Sequence, residues 1–176
     1  MTPNKERDLS DKVAIVPGGG TRGDGIGNRR AAAILLARAG ANVLVVDRDL
    51  ALAEATVEMI TSEGGKAIAA AYDVTSSAQC SAMVADAVSR WGRLDCLDNN
   101  VGIGSTGTCC RGVGGELDRV MHVNVDTMFL ACKHAIPAMV HTAGGGAHRE
   151  CLFDLCATTA RIDRLHCLQG RGYRSD

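Results

Sequence analysis

Apolar residues in this chain fall into short unbroken runs that alternate with longer stretches of mixed spacing. Lys12 to Val16 reads KVAIV, a β-branched apolar run. Glycine-rich sequence follows at once, then RRAAAILLARAG, which is rich in Ala and Leu and closes on Gly40. That order predicts a strand, a glycine turn, a helix and a glycine stop. ANVLVVD is a continuous apolar run ending in an acid, Asp47. A strand buried on both faces has that pattern. Residues 49–63 put Leu52, Thr56, Met59 and Ile60 on one helical face, and KAIAAAYDV (66–74) predicts a third strand. Residues 76–91 predict a helix with Met83, Val84, Ala87 and Val88 on one stripe. RLDCLDNNVG (93–102) predicts a fourth strand running into a glycine turn. Residues 117–141 predict one long helix with a bend near Pro137. Strands alternating with helices imply a parallel sheet with right-handed crossovers, so the fold class is α/β.

Length and charge narrow this reading. A chain of 176 residues suits one domain. The net charge of −1 supplies no global field for nucleic acid or an anionic membrane. No apolar run approaches the roughly 18 residues of a membrane span. The polar start, MTPNKERDLSDK, lacks the apolar stretch of a signal peptide, so a cytoplasmic location is expected. The eight cysteines are unevenly placed. In a reducing compartment they read as free thiols.

The stretch PGGGTRGDGIG (17–27) joins the first strand to the first helix. Glycines there allow a tight turn and close backbone approach to a pyrophosphate, and the helix N-terminus adds free N–H groups and partial positive charge. Asp47 stands about 20 residues past the last glycine, the usual offset for a carboxylate that accepts from ribose hydroxyls. Such an acid repels a 2′-phosphate, which favours NAD over NADP, and the neighbouring Arg48 partly offsets that repulsion. The other reading of Asp47 is an acid at a helix start. These features predict a Rossmann-type doubly wound sheet of about four to five strands with an irregular C-terminal tail.

Five segments then carry a family resemblance. They are the glycine motif ending Gly25-Ile26-Gly27, the strand end at Asp47, the Asp73-Val74 pair, the Asn99-Asn100-Val101-Gly102 turn, and His122-Val123-Asn124-Val125 in the long helix. In this order and spacing, across residues 12 to about 146, the chain resembles a short-chain dehydrogenase/reductase. The resemblance implies a nicotinamide cofactor and hydride transfer with a small alcohol or carbonyl substrate. It implies cofactor contacts from Gly18, Gly19, Gly20, Gly25, Ile26, Gly27, Asp47, Arg48, Asp73, Val74, Asn99, Asn100, Val101 and Gly102. It makes Asn124 a member of a catalytic tetrad, holding a proton-relay water. It also leaves a homo-oligomer open, because the long helix is commonly a subunit interface in the family. Three departures stand out: Pro17 where the family has Thr, the additional Thr21-Arg22-Gly23-Asp24 in the glycine loop, and Asp98 where an apolar residue or His is usual.

The largest departure is C-terminal. The resemblance divides the chain into a dinucleotide-binding domain, 1–146, and an unrelated tail, 147–176. After Gly146 the family has a fifth strand, a Ser, and a Tyr-x-x-x-Lys pair, and none of these is expected from the sequence as written. Tyr173 has no Lys after it. His148 to Cys156 can be written in codons that, one base out of frame, spell Ile-Val-Asn-Val-Ser-Ser-Ile-Ser. The same shift carried through Gly170 gives Ser-Ile-Ala-Tyr-Thr-Ala-Ser-Lys. The Cys-rich patch at 109–117 yields to a similar shift. The expectation is that both segments are out-of-frame translation of a reductase gene. The cysteines and histidines of the tail (His148, Cys151, Cys156, His166, Cys167) include no C-x-x-C pair, and no metal site is expected there. Two functional readings follow: an NAD-dependent oxidoreductase by ancestry, or a nucleotide-binding fragment without turnover.

Overall fold

In a computed structural model of the chain, the described residues are 8–21, 25–104 and 115–144, with the backbone of 147–150. Five strands form one parallel sheet in the order β3-β2-β1-β4-β5. They are β1 (Val13–Pro17), β2 (Asn42–Asp47), β3 (Lys66–Ala71), β4 (Cys96–Asn99) and β5 (Ala147–Glu150). The helices are α1 (Asn28–Arg38), α2 (Leu50–Ser62), α3 (Ser77–Trp91), α4 (Glu116–Met121) and α5 (Thr127–Ala143).

The unbroken apolar runs behave as expected of strands covered on both sides. In β1 and β2, alternate residues enter opposite cores. Val13, Ile15, Leu44 and Val46 face α3 and α5, where Met83, Val84, Ala87, Ala131 and Ala135 meet them. Ala14, Val16, Val43 and Val45 face α1 and α2, against Ala33, Ile34, Ala37, Ala53 and Ile60. The sheet order reverses between β1 and β4, so the crevice at a topological switch point opens at the C-terminal ends of those two strands. Asp95 ties their other ends together. Its carboxylate accepts from the Val13 N–H at 3.0 Å, from Arg93 and from Lys12.

Three expectations need correction. The fourth strand spans only Cys96–Asn99; just before it the Leu94 N–H donates to Thr142 Oγ1 of α5 instead of to a neighbouring strand. The long helix is interrupted near its start, at a π turn over His122–Asp126, and α5 continues through Pro137. The widened turn leaves a carbonyl for the Thr127 hydroxyl, which donates to Val123 O at 2.7 Å. Finally, a fifth strand does follow Gly146, and one side of β4 is therefore not left without a strand partner. β5 runs parallel to β4 with Leu97 opposite His148 and Asn99 opposite Glu150. The sequence reading missed it because AHRE lacks a β-branched, alternating pattern. Pairing to an open sheet edge uses backbone groups, which every sequence has.

Candidate functional site

The crevice at the switch point is a cavity of about 850 Å³. One wall is the glycine turn after β1, together with the first turn of α1. Gly18 takes φ +69°, a conformation that strains any residue with a Cβ. A Cβ on Gly20 would lie 2.6 Å from both Asp47 Oδ2 and Leu52 Cβ, so the turn can lie against β2 and α2 only with glycine there. The N-cap of α1 is Gly27, which has no side chain to cap the first amides of the helix. Gly18, Gly20, Gly27, Asn28 and Arg29 all line the cavity.

The second wall is acidic. Asp47 ends β2, half-buried, and its Oδ1 accepts from Asp49 N at 3.1 Å. The N-cap of α2 is Asp49, whose side chain accepts from Ala51 N, so Asp47 is not the helix-start acid. Arg48 beside it is exposed, and both line the cavity. Asp73 and Val74 follow β3 into the same wall. The hydroxyl and N–H of Thr75 hold the Asp73 carboxyl below the usual carboxylate range, and Arg48 and His122 act in the same direction. The Cys80 thiol is buried behind this wall and donates to Val74 O. Burial, reinforced by Asp73, pushes its pKa up to about 11, which keeps it a protonated packing group.

The third wall is the turn after β4. Val101, Gly102 and Ile103 line the cavity. Arg29 reaches across from α1 and donates to the carbonyl of Gly102, bridging the two halves of the crevice. Asn99 and Asn100 are buried beneath this turn. Asn99 Nδ2 donates to Cys132 Sγ, and Asn100 Nδ2 to Asp98 Oδ2. Asn124 lies in the π turn, 2% exposed. Its Oδ1 accepts from Ile103 N at 2.8 Å and its Nδ2 donates to Ile103 O at 2.9 Å. Both of its bonding groups therefore serve the cavity wall from behind.

The sequence candidates thus divide. Gly18, Gly20, Gly27, Asp47, Arg48, Asp73, Val74, Val101 and Gly102 meet around one cavity. Gly19, Gly25, Ile26, Asn99, Asn100 and Asn124 stand outside its lining. Gly19 is engaged at both ends, its N–H donating to Val46 O and its carbonyl accepting from Thr56. Ile26 is largely exposed. Sequence reasoning missed Arg29, Leu52, Tyr72, Ile103, Arg119 and Val123, which also line the cavity. A signal existed for two of them, since Arg119 and Val123 are four apart on a helix and share a face. Within the glycine loop, residues 22–24 lie outside the described residues, as do 109–114 of the Cys-rich patch at 109–117 and the tail cysteines and His166. Among the described residues no helix is long and apolar enough to cross a membrane.

Residues 12–147 match the family model described as short chain dehydrogenase. Among curated proteins, the chain is 36% identical over 137 residues to 2-(S)-hydroxypropyl-CoM dehydrogenase 3 of Xanthobacter autotrophicus, covering 78% of this chain and 52% of that protein. It is 35% identical over 140 residues to cyclohexanol dehydrogenase of an Acinetobacter species, covering 79% of this chain and 53% of the relative. Among solved structures, a short-chain type dehydrogenase/reductase from Mycobacterium marinum superposes with a TM-score of 0.74 at 30% identity, covering 81% of this chain and 56% of the other. Hydroxysteroid dehydrogenase from Escherichia coli gives 0.72 at 32% identity, covering 81% and 57%. The chain spans about half the length of the curated relatives it matches.

Proposed function

This chain belongs to the short-chain dehydrogenase family, and from that membership we propose that its crevice binds a nicotinamide dinucleotide, NAD in preference to NADP, for an oxidoreductase acting on a small alcohol or carbonyl compound. The observation that carries the proposal is the meeting of the glycine turn and Asp47 across a few ångströms. A Cβ on Gly20 would touch the Asp47 carboxylate, so the turn that would cradle a pyrophosphate is held against the acid that would take the ribose hydroxyls. Asp47 Oδ1 is spent on Asp49 N, and Oδ2 is the oxygen turned toward Gly20. A 2′-phosphate placed there would meet a carboxylate, and Arg48, exposed at the rim, offsets only part of that repulsion.

These residues fit such a cofactor. Gly18, Gly20 and the open start of α1 would hold its pyrophosphate, Asp47 its ribose, and Asp73 and Val74 would border its adenine. When bound, the cofactor supplies a hydride acceptor or donor. The chain's own residues would orient it between the acidic wall and the Val101–Gly102 turn, with Arg29 closing the span from α1 to Gly102.

Tyr72 favours a second reading, cofactor binding without turnover. It is the tyrosine among the described residues, and it lines the acidic wall. Burial pushes its hydroxyl up, with Asp86 adding to the rise. A tyrosine that exchanges protons with an alcohol needs the opposite shift, from a neighbouring lysine. Residues 148–176 are proposed to be out-of-frame translation of the segment that carries the family's Ser, Tyr and Lys. Sequencing the coding region across these codons tests that directly.

Titration of the purified chain with NADH and with NADPH, followed by nucleotide fluorescence, tests the binding proposal. NADH is expected to bind at least about tenfold more tightly than NADPH. Absence of saturable binding to either would overturn the proposal. The same samples, given NAD and a panel of small secondary alcohols, decide between the two readings. Steady NADH production supports the enzyme, and binding without it supports the fragment.

A further inference from the structure

Arg30 is among the most buried side chains of the molecule, 2% exposed, yet it carries a charge. It stands in the first turn of α1 and lies outside the lining of the cavity. Among the described residues no carboxylate forms an ion pair with it. Its donors go instead to the glycine turn. One terminal nitrogen donates to Gly25 O at 3.1 Å, and the other to Thr21 O at 3.2 Å. Its Nε donates to Thr56 Oγ1 at 3.1 Å. The Thr56 hydroxyl passes the link on, donating to Gly19 O at 2.9 Å. Arg30 and Thr56 thus take up three carbonyls of one turn, at positions 19, 21 and 25, and fasten them to α2.

We propose that Arg30, with Thr56 behind it, is a positioning residue that holds the glycine turn in its phosphate-binding shape. The inference rests on the dinucleotide reading of the cavity. Burying a guanidinium is costly, and hydrogen bonds from all three of its nitrogens offset that cost here. Here the acceptors are backbone carbonyls of the very turn that a pyrophosphate must approach. A turn this rich in glycine has little intrinsic preference for one shape. Its additional residues are 21–24, and Arg30 grips the chain at the first of them, Thr21, and just after the last, at Gly25. The flat, forked guanidinium can serve two carbonyls and a hydroxyl in one plane. A lysine ammonium cannot reproduce that geometry.

The consequence is selective. The pyrophosphate depends on the turn, whereas adenosine, lacking phosphates, depends on the acidic wall at Asp47 and Asp73. In the full chain, Arg30→Lys is expected to weaken NADH binding at least about tenfold while adenosine binding stays within about twofold. Hydrogen exchange of peptides spanning residues 18–27 should quicken, with the α3 and α5 peptides unchanged. Thr56→Val removes the relay hydroxyl and leaves the guanidinium in place, so it should shift both readouts the same way if Arg30→Lys does not fold. Equal NADH affinity in variant and parent would overturn the proposal. So would equal losses of NADH and adenosine, which mark a general loss of structure. If the parent itself binds no dinucleotide, the cofactor reading falls and exchange alone judges the clamp. Faster exchange confined to residues 18–27 supports it, and unchanged exchange removes it.

Discussion

Asn124 shows how one side chain can matter to a cavity it does not line. Its amide exchanges two hydrogen bonds with the backbone of Ile103, and Ile103 forms part of the wall. Asn124 sits in the π turn, and its partner Ile103 lies in the turn after β4. Substituting alanine would leave the part-buried N–H and C=O of Ile103 without their side-chain partner. Asn124→Ala is therefore expected to lower stability by about 2 kcal/mol in urea unfolding. Asn124→Asp should behave differently. It retains the acceptor for Ile103 N, loses the donor to Ile103 O, and buries a charge. A stability equal to the parent in the alanine variant would show that the contact is replaceable. The resemblance assigned Asn124 to the reaction. The hydrogen-bond geometry is something only the folded chain displays.

At the scale of elements, the joint between β1 and β4 depends on Asp95. Burial alone would raise its pKa. The Arg93 guanidinium, the Val13 N–H and the Lys12 ammonium outweigh burial and hold it below its ordinary value of 3.8. A carboxylate with a lowered folded pKa contributes stability that is fully present above its unfolded value. That contribution is lost as pH falls through the lower folded value. The parent should therefore lose stability as pH falls from above 3.8 through the lower folded value, and Asp95→Asn should lose less over that interval. Urea midpoints at the two ends of the range measure this. Identical pH slopes in parent and variant would remove Asp95 from the account. The existence of the strands Asp95 joins was legible in KVAIV and RLDCLDNNVG. Their pairing was not, because Asp95 and Val13 are far apart in sequence and meet only when β4 docks beside β1.

For the molecule as a whole, the long helix has two unequal sides. Ala131, Ala135 and Met139 pack into the core with α3, and Met128 is buried as well. Leu117, Phe129, Ile136 and Val140 are exposed, with Phe129 at 66% and Val140 at 63%. An exposed apolar stripe of this kind marks a surface that tends to associate. Sedimentation velocity of the parent is expected to show concentration-dependent association, and Phe129→Glu with Val140→Glu should reduce it without lowering the thermal midpoint of the monomer. A parent that stays monomeric at every concentration would mean the stripe is tolerated in water.

The sequence by itself determined the alternation of strands and helices, the glycine turn and the acid at the end of β2. These are local matters: buried runs, helical stripes and turn glycines each depend on residues near in the chain. It also carried the resemblance, which needs only order and spacing. Tertiary structure decided the rest. It decided that Gly20 and Asp47 touch and that Arg30, rather than any glycine, fastens the turn. It placed Asn99 and Asn100 under the wall instead of in it, and it let β5 form from a sequence with no strand pattern. Each of these depends on which groups the sheet order brings together, and that order arises when distant strands close on one core.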